Sequence, residues 1–249
     1  MSSETTGFTL LLTSAIEDSE VFLEDANVNE LQVVHLPLEK YVLLETDRDE
    51  LAAQIDAAEN IIHGHKRNAQ FFISRVEEFD LLESVTDRVN LAADQRTADF
   101  LEEHGVPAIY PGSEEPIKML EFLMRLRRLG TVLFPCGTYG KEEIPGLLKE
   151  MDIEVNEKVL FELEGPKTEE LESYQKRVIE NHFDVIVYHS RRSVNRIQAA
   201  FPNLHETNAK IIAGDQAVTD KLAEDHDIEV DKTAEGSWES ILEQVKEFM

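Results

Sequence analysis

The sequence predicts an α/β protein of two similar halves, each a parallel sheet flanked by helices. Two observations carry this reading. Short apolar runs alternate with amphipathic stretches of helical period, as parallel α/β sheets require. A set of strand-end turns also recurs in the second half of the 249 residues.

The strands are expected at 8–13, 31–34, 60–63, 89–93, 108–110, 131–135, 184–188, 210–213 and 228–230. Helices fill the gaps. Thr46 is placed to cap one, with Leu51 and Ile55 on a single face. Another opens at Ser113 with Pro116 in its first turn, buries Ile117, Leu120 and Met124, and stops at Gly130. Leu171, Tyr174 and Val178 recur at helical spacing. Ser237 caps the last helix, which presents Trp238, Ile241, Val245 and Phe248. These stripes read as core.

The repeat is clearest where Ala92-Ala93-Asp94-Gln95 ends one strand and Ala213-Gly214-Asp215-Gln216 ends another, a shift of 121 (215 minus 94). Carried onward, it pairs Asp99 with Asp220 and Leu101 with Leu222. Upstream, His65-Lys66-Arg67 and Ser190-Arg191-Arg192 each follow an apolar strand and open a helix. Two flavodoxin-like domains joined by two extended linkers follow from this. The linkers are expected near 36–39, where Pro37 interrupts, and near 155–165, before Gly165-Pro166. If the chain crosses at both, residues 1–37 and 164–249 form one discontinuous domain and 39–160 the other.

Composition narrows the function. Apolar content of 42% and charged content of 30% exclude a disordered chain. No apolar run approaches the roughly 20 residues that span a bilayer, and residues 1–6 carry no basic leader region. The single cysteine, Cys136, excludes an internal disulfide framework and a cysteine-cluster metal site. A cytoplasmic monomer is expected. With 51 acidic against 24 basic residues, the net charge of -27 repels phosphate backbones and anionic lipid, so neither nucleic acid nor membrane is an expected partner.

In open parallel sheets, ligands bind beyond the carboxyl ends of the strands. Basic turns lie there in both halves: His63, His65, Lys66 and Arg67, then His189, Arg191 and Arg192. Cations at helix starts oppose the helix dipole unless an anion is expected. Their bland alternative is pairing with surface carboxylates. Gly137-Thr138-Tyr139-Gly140-Lys141 follows another strand; its spacing rejects a nucleotide-hydrolysing phosphate loop, yet the glycines let backbone amides approach an anion. Thr97 sits in the first turn of a helix, facing a cleft or capping the backbone. His63 and His65 lack a third ligand at useful spacing, so no metal is expected.

Taken in order, these pieces resemble uroporphyrinogen-III synthase over nearly the whole chain. They are Ile61-Ile62-His63-Gly64-His65, Asp94-Gln95-Arg96-Thr97-Ala98 and the strand and turn from Leu133 to Lys141. Lys158-Val159-Leu160-Phe161, Val187-Tyr188-His189-Ser190 and Ile212-Ala213-Gly214-Asp215-Gln216 follow. The sequence departs from the family at Asp94 (glycine), Ala217 (threonine), Phe161 (tyrosine) and Ser14 (arginine). The resemblance implies a cofactor-free lyase that cyclises hydroxymethylbilane, a linear tetrapyrrole, with loss of water and inversion of the terminal ring. It implies that Lys66, Arg67, Lys141, Arg191 and Arg192 receive substrate carboxylates in a cleft shared by the domains. Thr97, Ser190 and the amides of Gly137 and Gly214 would add hydrogen bonds, His65, Phe161, His189 and Gln216 complete the substrate contacts, and Thr97 is the one catalytic candidate. The alternative is a non-catalytic tetrapyrrole- or anion-binding homologue on the same scaffold. A duplicated receiver-type signalling module ranks last, because no acidic pocket with a following lysine repeats.

The dispersed acidic residues further imply that ions relieve self-repulsion. Thermal melts in low and molar KCl check this: the midpoint is expected to rise with salt, and a constant midpoint refutes it.

Overall fold

The computed structural model describes residues 8–29, 31–125, 130–138 and 143–249. In chain order the first elements are β1 (Thr9–Leu12), α1 (Ile16–Val28), β2 (Gln32–His35), β3 (Lys40–Leu43), α2 (Arg48–Ala57), β4 (Asn60–His63) and α3 (Lys66–Glu78). Next come α4 (Leu82–Thr86), β5 (Val89–Ala92), α5 (Gln95–Glu103), β6 (Ala108–Ile109), α6 (Pro116–Leu123), β7 (Val132–Gly137), α7 (Glu143–Glu150) and β8 (Val155–Glu164). The last are α8 (Thr168–Glu180), β9 (Val185–Tyr188), α9 (Arg191–Ala200), β10 (Lys210–Ala213), α10 (Gln216–His226), β11 (Lys232–Thr233) and α11 (Trp238–Lys246).

The chain divides into two compact units, Met1–Lys40 with Glu164–Met249, and Tyr41–Leu163. In the first unit a five-stranded sheet runs β11-β10-β9-β1-β2, each adjacent pair parallel. Helices cover both faces, so the consecutive residues Leu10, Leu11 and Leu12 are all fully buried. Leu11 joins Ile186, Val194, Ile197 and Leu222 on one side, while Leu10 and Leu12 join Phe22, Ile241 and Val245 on the other. In the second unit the sheet runs β3-β8-β7-β4-β5-β6, with β4 parallel to β5 and β7. Ile61 and Ile62 likewise point to opposite cores.

The sequence repeat has a physical basis. Asp94 Oδ1 accepts from the Thr97 amide at 2.7 Å and Asp215 Oδ1 from the Val218 amide at 2.8 Å, each capping a helix. The glutamine after each aspartate makes the same bond one turn on: Gln95 Nε2 donates to Asp99 and Gln216 Nε2 to Asp220, both at 2.7 Å. Ser190 and Ser237 each close a reciprocal cap with a serine three residues later.

Several local expectations need correction. The strand expected at 228–230 is instead β11, two residues at Lys232–Thr233; Ile228 is buried in the helix-side core. Asp47, not Thr46, caps α2, accepting from the Glu50 amide at 2.8 Å, while the Thr46 hydroxyl donates to Leu44 O. Helix α6 starts at Pro116, and its inward face is Met119, Leu120 and Leu123; Ile117 and Met124 are 50% and 64% exposed. Its expected continuation to Gly130 crosses residues 126–129, outside the described residues. Strand β3 was not anticipated, and the stretch read as an extended linker carries the ten residues of β8. Among the described residues no helix is long and apolar enough to cross a membrane.

Two glycines should respond oppositely to alanine. A Cβ at Gly214 would stand 2.4 Å from the His189 carbonyl oxygen, and backbone cannot yield cheaply. Gly214→Ala is expected to cost about 1–3 kcal/mol. Gly146, exposed in α7, has nothing within 4 Å of a built Cβ. Gly146→Ala is expected to stabilise by about 0.5–1 kcal/mol through helix entropy. Denaturant midpoints of the two variants check both signs.

Candidate functional site

In the unit Tyr41–Leu163, β4 ends at His63 and α3 begins two residues after Gly64. His63 is fully buried, 3.3 Å from Asn90 Oδ1 and edge-on to Phe72. Burial lowers its pKa to about 4, only partly opposed by the Asn90 bond, so it is a neutral core imidazole rather than a cation. His65 caps α3, its Nδ1 accepting from the Arg67 amide at 3.2 Å. The Lys66 ammonium lies 5.9 Å from the centre of the Phe100 ring. Arg67 lays its guanidinium over Tyr41 at 4.3 Å, with Phe161 at 5.9 Å.

Those rings form one cluster. Phe161, only 4% exposed, stacks on Phe71 at 4.4 Å and meets Tyr41 edge-on at 5.6 Å. Gly137, at the end of β7, lets that ring lie against its backbone; a Cβ there would stand 2.4 Å from a Phe161 carbon. The Thr138 amide donates to Phe161 O at 3.0 Å. The structure thus gathers Arg67, Gly137 and Phe161, together with Tyr41 and Phe71, which sequence reading missed. Tyr41 sits on the unanticipated β3. Lys141 falls outside the described residues.

At the α5 start, Thr97 is fully buried. Its hydroxyl donates to Asp94 Oδ2 at 2.9 Å while its amide donates to Oδ1, so both groups bind the capping carboxylate. Cys136 is buried beside the core of the β7 face.

In the other unit, Ser190 caps α9 and Arg191 is exposed. Arg192 and Arg196 turn to Glu39: Nε of Arg192 stands 2.8 Å and Nε of Arg196 3.2 Å from Oε2. His189 Nε2 lies 3.6 Å from Oε1, and its ring stacks on Trp238 at 5.5 Å. Glu39 is 1% exposed. Burial pushes its pKa up, but His189 and Arg192 outweigh that and hold the carboxyl below its ordinary value. The grouping matters because an unpaired buried carboxylate costs several kcal/mol. His35 bonds Ser14 O at 2.8 Å, and burial lowers its pKa against that bond.

At the β10 end, the Gly214 amide, expected to add a hydrogen bond to the substrate, donates to Tyr188 O at 2.8 Å. The exposed Gln216 side chain donates to Asp220. Among the described residues at these corners, Arg191 is exposed and Lys66 is half-buried, each in the first turn of a helix, whose N-terminus favours anions. Glu39 also escaped sequence reading, since it lies in no strand-end turn, whereas Trp238, read as core, packs against the core and also meets His189.

The family model described as Uroporphyrinogen-III synthase HemD matches residues 24–239. Among solved structures, uroporphyrinogen-III synthetase from Helicobacter pylori 26695 is similar with a TM-score of 0.67 and 14% identity, covering 98% of this chain and 100% of that one. A mutant uroporphyrinogen III synthase from Thermus thermophilus gives a TM-score of 0.55 at 14% identity, covering 97% and 98%. At that identity they speak for the fold. No curated protein matches. The family match extends from within α1 to the start of α11, spanning both units, and the chain belongs to the uroporphyrinogen-III synthase family.

Proposed function

We propose that the chain closes hydroxymethylbilane to uroporphyrinogen III, with its strand-to-helix corners receiving the carboxylates of the substrate. The observation that supports this most is the duplicated corner. Each unit offers capped helix starts at the carboxyl ends of parallel strands, with Lys66 on one and Arg191 on the other. Helix N-termini favour anions, and a cation beside them strengthens that preference. In so acidic a chain, a cation at a helix start lowers the repulsion that a polyanionic substrate meets there.

The chemistry asks for positioning more than for strong acid or base. The hydroxyl of the linear tetrapyrrole takes a proton and leaves as water. The pyrrole-stabilised cation left behind is attacked by the terminal pyrrole at its already-substituted α-carbon, giving a spiro intermediate. The original bridge bond at that carbon then breaks, and the freed methylene bonds the other α-carbon. That carbon loses its proton, so that the ring is inverted. Unaided closure gives the uninverted isomer, so holding the two ends in the productive geometry decides the product. Helix dipoles and the Asp94 and Asp215 caps supply the fixed electrostatics at the corners. Thr97, held at both its amide and its hydroxyl by Asp94, keeps the α5 start in shape. Arg67, lying on Tyr41, orders the aromatic cluster behind its corner. The working form is a monomer in the cytoplasm, an assignment that sedimentation of the purified chain tests.

Freshly made hydroxymethylbilane, mixed with the protein and followed by oxidation and separation of the porphyrins, is expected to give the type III isomer. Type I alone, as in buffer, refutes the reading. Lys66→Gln and Arg191→Gln are each expected to raise KM about tenfold, the equivalent of one lost charged contact, with circular dichroism unchanged.

A further inference from the structure

Of the acidic side chains among the described residues, Glu39 is the one carboxylate that is buried. The chain carries 51 acidic residues, so this exception calls for a cause. Glu39 sits immediately before β3, where the chain leaves the unit that contains β1 and β2. The segment ahead of it runs along the end of β1: the Leu36 amide donates to Leu12 O at 2.9 Å and the Leu38 amide to Thr13 O at 3.0 Å. Helix α9 then grips the next two residues. Arg196 Nη1 donates to Leu38 O at 3.1 Å, and Arg192 and Arg196 both reach Glu39 Oε2. Arginines four apart share a helix face, which is why one carboxylate can hold both. Arg191, one residue earlier, faces another way and is exposed.

We propose that Glu39 is a positioning residue for the reaction: it draws His189, Arg192 and Arg196 onto the departing chain, fixes the first turn of α9, and leaves Arg191 as the cation offered to a substrate carboxylate. This rests on the reading given under Proposed function. Arg191 and Arg192 are equivalent in sequence, and the buried carboxylate assigns them different tasks. Glu39 is not a stand-in that a substrate arm displaces, because it is 1% exposed and has guanidinium partners on Oε2 with an imidazole beside Oε1. Its influence passes through His189, the residue before the capping Ser190, and Arg192, in the first turn that Ser190 caps.

The test is Glu39→Gln, with Glu39→Asp as the conservative comparison. Affinity for uroporphyrin III, a stable octacarboxylate, is measured by fluorescence titration alongside KM and kcat in the isomer assay. Glu39→Gln is expected to raise both Kd and KM about tenfold, to change kcat less than about threefold, and to be largely restored by aspartate. An unchanged KM overturns the proposal. A lower KM also overturns it, since that would mean Glu39 competes with the substrate for its cations. Loss of kcat alone has the same force. Should Glu39→Gln fail to fold, Arg192→Lys keeps the charge but loses the Nε donor; it is expected to weaken binding in the same direction, and unaltered binding overturns the proposal. Wild-type protein that binds uroporphyrin III but forms only type I product refutes the activity, and the titration of the variants still decides the role of Glu39. Absence of binding by the wild type overturns both.

Discussion

The structure depends on how each helix start is satisfied where a strand hands over to it. The first backbone amides of a helix have no partner within the helix, and a side-chain oxygen or nitrogen can satisfy them. Here Asp47, His65, Asp94, Ser190, Asp215 and Ser237 do so, from both units. A cap fixes the angle at which a strand becomes a helix, and so fixes where the following side chains project. Lys66 and Arg191 owe their positions to the residue just before them. The same constraint leaves the dipole of each helix directed past the strand end, toward the region where parallel sheets receive ligands.

Charge adds a second layer. An excess of 27 negative charges disfavours any anionic ligand at most of the surface. The few cations therefore carry unusual weight, and the structure divides them by neighbour. Arg67 lies on an aromatic face, Arg192 and Arg196 belong to a buried carboxylate, and Lys66 stands near Phe100. Residues that look alike as a run of basic letters thus separate by what each side chain touches.

Much of the fold was legible because two-sided burial writes itself as unbroken apolar runs. Strands β4 and β10 lie at their expected bounds, and β1, β5, β7 and β9 within one or two residues of theirs. Strand β3 carries the apolar run Tyr41-Val42-Leu43-Leu44, a signal passed over beside the linker expected near 36–39. Strand β11 is only two residues long. The helix-capping aspartates announced themselves through repetition. The partners of the site residues did not: Arg192 and Glu39 are 153 residues apart, and no local pattern marks such a pairing. The same limit hid Tyr41 as the bed of Arg67 and Phe71 as the ring stacked on Phe161, and made His63 look like a cation when complete burial keeps it neutral.

The contact of Phe161 with the bare backbone of Gly137 ties two distant positions to a common fate. A side chain at 137 needs the space the ring now fills, and a smaller residue at 161 would leave a hollow over the glycine. Across relatives that share this geometry, the two sites should covary: an aromatic at one with glycine at the other, or a joint exchange of both.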